Sequence, residues 1–265
     1  MTAETIRPPA VAGMFYPAHP RELRHEIASY LADVRGFTGS PPKALIAPHA
    51  GYIYSGPIAG SAYATLSGSR SGIRRVVIAS PSHRVGFRGM ATSSATAFRT
   101  PLGDVSVDSE ASAALLACPG VHVLDRAHRD EHGIEVHLPF LQHVLADFRI
   151  APIVVGDTDD ATMAAALAAV WGGDETLVVI SSDLSHYLPY ARAQAIDNAT
   201  SRAIVALDPE AIAPDQACGQ RAIRGLLCLA RDLHLTATTL DLRNSGDTAG
   251  DRSSVVGYGA YAFTT

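Results

Sequence analysis

Five short apolar runs constrain the fold of this 265-residue chain more than any other sequence feature. Each run has the length of a strand and lacks polar alternation, which is typical of a strand that is buried on both faces of a sheet. Amphipathic stretches of helical length lie between many of the runs. The five runs cover residues 44–48, 75–80, 151–156, 176–181 and 255–263.

The alternation of strands with helices predicts an α/β sandwich around a largely parallel sheet. We expect helices over residues 20–34, 56–67, 108–117, 132–146, 159–171, 190–207 and 219–233. The Thr- and Ser-rich segment 88–107 contains a Pro-Leu-Gly-Asp turn signal and predicts a hairpin, so the sheet should be mixed. No linker divides the sequence, and residues 1–265 are predicted to form one domain.

The composition excludes several classes of function. Hydrophobic residues make up 47% of the chain and charged residues 18%, as in a folded globular domain. The formal net charge of −5 and the dispersed Lys and Arg residues argue against a nucleic-acid partner. Without an apolar window of membrane-spanning length or a signal-peptide pattern, we expect a soluble, cytoplasmic protein. The three Cys residues form no CxxC pair, which argues against a disulfide framework and a structural zinc site.

Polar residues follow four of the apolar runs: His49, His83, Asp157 and Asp183, with His186 three residues after the last. The carboxyl ends of parallel strands meet at one edge of a sheet, where ligands bind, so we expect some of these side chains to converge. Two histidines and a carboxylate suit Fe(II) with open coordination positions. Taken alone, each histidine is better explained as a hydrogen-bonded loop residue than as a ligand, and Asp183 is equally well explained as a helix N-cap.

Cys218 precedes an amphipathic stretch, so its sulfur is expected near a helix N-terminus, where a thiolate is favoured. Such a thiolate could bind a metal ion or act as a nucleophile. The alternative is a small buried hydrophobic residue, which is our interpretation of Cys118 and Cys228.

The segment 126–145 is rich in histidine and glutamate, and it contains no HExxH motif of a zinc protease. Within this segment, His128 and His143 are interpreted as part of a solvated polar face. Glu135 and His137 lie beside the apolar stripe and stay candidates for a functional role. His132 is assigned a surface or structural role.

Two further kinds of site are disfavoured. The Gly-rich segment 244–261 lacks the order of glycines that binds nucleotide phosphates, and it precedes a strand instead of a helix. The residues around Asp183 contain no GxSxG motif, which argues against a serine hydrolase.

Eight segments, in order along the chain, resemble the Memo family, whose prokaryotic members are also called AmmeMemoRadiSam system protein B. That family is similar in fold to the class III extradiol ring-cleaving dioxygenases, which are non-haem iron enzymes. The matching segments cover residues 7–17, 47–56, 80–83, 100–108, 130–142, 180–187, 217–219 and 245–261.

The resemblance implies a metal held by His49, His83 and Cys218, with Asp183 and His186 beside it. Fe(II) is the metal expected from the resemblance. A thiolate in place of the carboxylate of extradiol enzymes would favour softer ions, so Cu and Zn stay open. The prokaryotic name also implies association with a radical SAM protein and an AMMECR-domain protein.

Our first hypothesis is therefore a metal-dependent redox protein or dioxygenase-like oxidoreductase, and whether the chain is an enzyme stays open. The alternatives are a non-catalytic module that binds a peptide or a small metabolite, and a hydrolase with Cys218 as its nucleophile. Asp183, His186 and Cys218 are the candidate catalytic residues, and the candidate substrate-binding residues are Tyr52, Tyr54, Glu135 and His137.

Overall fold

Each of the five apolar runs forms a strand. The computed structural model describes residues 5–34, 39, 41–67 and 72–265. All five predicted strands are present. The strands are β1 (Ile6–Arg7), β2 (Ala44–Ala47), β3 (Arg75–Pro81), β4 (Met90–Thr92), β5 (Ala97–Thr100), β6 (Gly103–Ser106), β7 (Val121–Val123), β8 (Arg149–Val155), β9 (Thr176–Ser181), β10 (His186–Leu188), β11 (Thr236–Asn244) and β12 (Val255–Thr264).

Most helices follow the amphipathic stretches, although the helix predicted over 56–67 begins at Tyr52 and two short helices, over 125–129 and 245–248, were not predicted. The predicted helix over 132–146 is the exception, because only a 3₁₀ turn at Glu135–His137 and a short helix from Leu138 form there. A second 3₁₀ turn covers Ala64–Leu66. The helices are α1 (Pro20–Ala32), α2 (Tyr52–Tyr63), α3 (Ser109–Leu116), α4 (Asp125–Arg129), α5 (Leu138–Val144), α6 (Asp160–Ala169), α7 (Tyr190–Val205), α8 (Gln220–Asp232) and α9 (Ser245–Thr248).

The main sheet has four parallel strands at its centre, in the order β2-β9-β3-β8. Antiparallel strands flank them, because β12 pairs with β2 and β4 with β8. Further out, β10 and β11 pair with β12, and β7 pairs with β4. The sheet is therefore mixed and largely parallel at its core, and the predicted α/β class is confirmed.

Both faces of this sheet are covered, which is why its central strands lack polar alternation. In β2, Leu45 and Ala47 belong to the core beneath α1, α2 and α5, while Ala44 and Ile46 belong to the core beneath α6 and α8. The result is a helix–sheet–helix sandwich. Among the described residues, no helix combines the length and the apolar character needed to span a membrane.

The segment 88–107 contains the predicted hairpin, formed by β5 and β6, with Ala97 opposite Ser106. This hairpin pairs with β1 in a separate three-stranded sheet instead of extending the main sheet. Strand β4, near the start of the segment 88–107, does join the main sheet.

Candidate metal centre

His49 is held in one orientation by the end of β9. Its backbone N–H donates to Asp183 Oδ1 at 2.8 Å, and its Nδ1 lies 2.6 Å from Ser181 Oγ. The Ser181 hydroxyl donates to the Gly133 carbonyl oxygen at 2.6 Å, so it accepts from His49 Nδ1. The ring proton is therefore on Nδ1, and the lone pair of Nε2 is available to a metal ion.

Glu131 orients His83 in a similar way. The His83 backbone N–H and Nδ1 donate to the two oxygens of the carboxylate at 2.7 and 2.8 Å. Burial alone would raise the pKa of Glu131, but the hydrogen bonds from His83 and from the backbone hold that pKa below its ordinary value. An ionised carboxylate keeps the proton on Nδ1, which leaves His83 Nε2 as the free nitrogen.

His132 is the third histidine of the site, and sequence reasoning missed it. Its ring centroid lies 4.5 Å from that of His83 and 5.3 Å from that of His49. The side chain is 12% exposed. Its buried Nδ1 lies 3.4 Å from Glu131 Oε1 and forms no hydrogen bond among the described residues. The surface role assigned to His132 is wrong about its surroundings, because the predicted helix does not form at this residue.

One ring nitrogen from each of His49, His83 and His132 can be chosen so that all three lie within 4.8 Å of one another. Burial, reinforced by the neighbouring imidazoles, holds the pKa of His49 well below its usual value. Burial likewise lowers the pKa of His132 to about 4. Both rings are neutral at pH 7, and the neutral imidazole is the form that binds metal.

Gly133 allows these elements to approach. A Cβ atom at this position would overlap Ser80 Oγ at the end of β3 and would come within 3.4 Å of Ser181 Oγ. Since the Ser181 hydroxyl bonds to the carbonyl oxygen of the same glycine, the absence of a side chain helps to bring His132 beside the strand ends.

Cys218 lies beside His49 but outside this group of three nitrogens. Its Sγ is 3.2 Å from His49 Nε2, and it accepts from the Asp183 backbone N–H at 3.3 Å. The residue precedes Gly219, the N-cap of α8, as the sequence predicts. Burial and the nearby charge of Asp183 raise the pKa of Cys218 to about 12, so the thiol is protonated at neutral pH. This environment does not support a nucleophilic thiolate.

Asp183 and His186 line the same cavity as the three histidines. Burial raises the pKa of Asp183 to about 7, against the opposing effect of the His49 backbone N–H. His186 is the first residue of β10, and burial lowers the pKa of its ring. The predicted neighbours of the metal site are therefore close to His49, and the Asp183 carboxyl can gain or lose a proton near neutral pH.

The cavity over the histidines has a volume of about 630 Å³, which suits a small organic ligand. Tyr54 lines it and is 40% exposed, as expected for a residue at its mouth. Tyr52 is placed differently, because it is buried and its hydroxyl donates to the Val136 carbonyl oxygen at 2.6 Å. The remaining aromatic side chains of the cavity are Phe15, Tyr187 and Tyr258.

Glu135 and His137 lie in the core and not among the residues that line this cavity. Glu135 forms a buried ion pair with Arg7 and accepts from Tyr16 at 2.5 Å. His137 Nδ1 is 2.8 Å from the Tyr63 hydroxyl. The substrate-binding role predicted for these two residues therefore has no contact with the cavity to support it.

Asp157 also follows its strand but is not part of the three-histidine group. It is 65% exposed and pairs with Arg221 at 2.7 Å. Both residues line a separate groove of about 710 Å³, beside the N-termini of α6 and α8. Of the four strand ends singled out by the sequence, those of β2, β3 and β9 meet at the site.

The fold and the site define an α/β protein with three histidines grouped at the carboxyl edge of its central parallel strands. The family model described as Memo-like protein matches residues 7–262. The chain belongs to the Memo family, as the motifs indicated.

Full-length relatives agree with this assignment. A MEMO1 family protein of Sulfolobus acidocaldarius is 38% identical, and the match covers 96% of this chain and 97% of the relative. One from Aeropyrum pernix is 39% identical, with 96% and 98% covered. One from Methanothermobacter thermautotrophicus is 37% identical, with the same coverage as the Aeropyrum protein. These names give a family and no reaction, so the function is argued from the site.

Proposed function

We propose that this chain is a metal-dependent redox protein that binds Fe(II) through His49, His83 and His132. The observation that carries the proposal is the grouping of three imidazole nitrogens within 4.8 Å on residues that line one cavity. The His132 ring is further support, because its buried Nδ1 lies 3.4 Å from Glu131 Oε1 and forms no hydrogen bond among the described residues.

Three neutral imidazoles suit iron, copper and zinc, so the donor set alone does not select the metal. Iron is proposed from the resemblance to the extradiol dioxygenases. When bound, Fe(II) would supply one-electron chemistry and open coordination positions for a substrate. Cys218, 3.2 Å from His49 Nε2, is proposed as a redox-active thiol or an additional ligand beside the histidines.

The surrounding residues would hold the donors and move protons. Glu131 fixes the His83 ring, and Ser181 fixes the His49 ring through their Nδ1 atoms. Asp183 and His186 line the cavity, where they could exchange a proton with a bound ligand. The pKa of about 7 at Asp183 makes both of its protonation states accessible under ordinary conditions.

The test is metal analysis of protein purified and reconstituted with Fe(II) without oxygen, for the wild type and for single variants of the four candidate ligands. We expect stoichiometric binding in the wild type and its loss in His49→Ala, His83→Ala and His132→Ala. Cys218→Ser should still bind one ion per chain. Oxygen consumption by the loaded protein with an added reductant is measured in parallel.

Metal binding by His132→Ala and Cys218→Ser shows which of these two residues is the third ligand. If Cys218→Ser loses the ion while His132→Ala keeps it, the ligand set is the two histidines and cysteine that the family resemblance implies. Stoichiometric binding that survives in all four variants would show that the metal site is elsewhere. Metal binding without any oxygen consumption or electron transfer would contradict the redox role.

A second function, binding of a peptide or metabolite without chemistry, is favoured by the exposed apolar side chains at the cavity mouth. Met14 and Tyr187 line the cavity and are 73% and 76% exposed. This function predicts that ligand affinity is the same with and without metal. Association with a radical SAM protein and an AMMECR-domain protein is proposed from the family resemblance, and co-purification from the source cells would test it.

A further inference from the structure

The tyrosines that line the cavity differ from most others in the chain. Tyr54, Tyr187 and Tyr258 have hydroxyls without a hydrogen-bond partner among the described residues. Of the six other tyrosines, Tyr261 has a fully enclosed hydroxyl without a partner among the described residues, and five have hydroxyls that bond to protein groups. Those five are Tyr16, Tyr30, Tyr52, Tyr63 and Tyr190.

Tyr258 is the informative member of the three, because it is only 2% exposed. Tyr54 and Tyr187 reach bulk water, but a buried hydroxyl without a partner is unfavourable. The Tyr258 hydroxyl is not among the fully enclosed polar atoms of the described chain, and the residue lines the cavity. The hydroxyl therefore faces the space that a ligand would fill.

The position of Tyr258 in the sheet places it next to the metal centre. Strand β12 runs antiparallel to β2, with Tyr261 opposite Ile46. Tyr258 precedes Tyr261 by three residues, and His49 follows Ile46 by three, so both reach the same edge of the sheet. Burial, followed by the charge of Asp183, holds the pKa of Tyr258 well above its usual value, so the phenol stays a hydrogen-bond donor.

The mouth of the cavity has an apolar rim formed by Met14, Ile53, Tyr54 and Tyr187. These are four of the eight large hydrophobic residues that are exposed in the described chain. Tyr187 also has a φ of 57°, in the left-handed region, which is unfavourable for a residue with a side chain. Strained residues with exposed aromatic rings are typical of ligand contacts.

We propose that Tyr258 is a substrate-positioning residue whose hydroxyl donates a hydrogen bond to an acceptor oxygen of the bound molecule. The substrate class is a small organic molecule with an oxyanion or carbonyl oxygen at one end and an aromatic or apolar group against the rim. This inference rests on the proposed function and deepens it, because it assigns the kind of molecule that enters the cavity above the three histidines.

The experiment titrates 4-nitrophenolate, which has an aromatic ring and one oxyanion, into metal-free and Co(II)-loaded protein. Tyr258→Phe is compared with the wild type and with Tyr261→Phe, which alters a buried tyrosine on the opposite face of the same strand. We expect Tyr258→Phe to weaken binding about tenfold or more, the effect of losing a hydrogen bond to a charged acceptor. The shift of the probe's absorption band to shorter wavelength on binding should also be lost. Tyr261→Phe should change neither.

Two outcomes overturn the proposal: the probe fails to bind the wild type saturably, or Tyr258→Phe binds it as tightly as the wild type. Thermal unfolding should be almost the same for Tyr258→Phe and the wild type, because the hydroxyl has no protein partner to lose. Metal analysis of the same samples separates the two proposals. If the wild type binds no metal but the metal-free protein binds the probe in a Tyr258-dependent way, the proposed function fails and the role of Tyr258 stands.

Discussion

Glu131 and Glu135 are four residues apart and equally buried, yet they belong to different regions of the molecule. Each carboxylate accepts four hydrogen bonds. At the metal centre, Glu131 accepts from the backbone and ring of His83 and from the backbone of His132 and Gly133. Glu135 instead accepts from four residues near the N-terminus, and we call this cluster the N-terminal anchor. The four donors are Arg7, Ala10, Val11 and Tyr16.

The difference lies beyond the carboxylates. The His83 ring that donates to Glu131 has a second nitrogen, and the residue lines the cavity. The Arg7 guanidinium donates to Glu135 through Nη1. Its Nε and Nη2 donate to the backbone carbonyl oxygens of His128 and Glu131. Burial of a carboxylate therefore does not identify a functional site, whereas a donor with a free second nitrogen at a cavity does.

The largest change in unfolding free energy is expected when the N-terminal anchor loses Glu135. Glu135→Ala leaves the Arg7 guanidinium, 5% exposed, without its buried partner. Removing one member of a buried ion pair costs about 3–5 kcal/mol of unfolding free energy. Urea denaturation measures the loss. Metal content per folded chain after reconstitution should stay at the wild-type level, because Glu135 accepts no hydrogen bond from His49, His83 or His132 in the described structure.

Glu135→Gln is the control for this prediction. It keeps the size of the side chain and one acceptor oxygen, so its loss of stability should be smaller than that of Glu135→Ala. If the alanine variant unfolds within about 1 kcal/mol of the wild type, the N-terminal segment is not anchored through this residue.

The fold was predictable because the signals that specify it are local. Runs such as 75–80 and 176–181 have four consecutive apolar residues at their centres, 76–79 and 177–180, and the structure places them side by side as β3 and β9. Strand β11 was not predicted, because its sequence TATTLDLRN has no continuous apolar run.

The site was predictable in part for the same reason. His49 and His83 follow strands directly, so the strand prediction located them. His132 was missed because a helix was expected at its position, although Gly133 directly after it is a signal against a regular helix. Glu135 was predicted to bind substrate because its partner could not be identified from the sequence. That partner, Arg7, is separated from it by 128 residues along the chain.

The next largest effect is a loss of stability in acid. It involves His128, whose backbone carbonyl oxygen accepts a hydrogen bond from Arg7 of the N-terminal anchor. His128 is 2% exposed, so the solvated position predicted for it is wrong. This burial lowers the pKa of His128 from 6.5 to about 4 in the folded state. Between these values the unfolded chain binds a proton that the folded chain excludes, so stability is complete above pH 6.5 and falls as the pH drops toward 4. A shift of this size corresponds to about 3 kcal/mol for this one residue.

Urea denaturation at several pH values between 7 and 4.5 measures the slope for the wild type and for His128→Gln. The glutamine amide can keep the hydrogen bond that His128 Nε2 makes to the Ala91 carbonyl oxygen, but it does not titrate. We expect a flatter slope in the variant, by up to about 1.4 kcal/mol per pH unit. Parallel slopes would mean that His128 is protonated in the folded state, or that its burial is relieved in solution.

The smallest of these effects is on metal affinity. Glu131→Gln removes the negative charge that holds the His83 ring with its proton on Nδ1. Partners of this kind are worth about 10–100-fold in metal affinity, or about 1.4–2.7 kcal/mol. Competition with a chelator measures the dissociation constant, and Glu135→Gln is the matched control because it makes the same chemical change four residues away. If both variants weaken metal binding equally, the two carboxylates act only through general stability. A loss confined to Glu131→Gln would show that the free nitrogen of His83, and not the buried charge itself, separates the metal centre from the anchor.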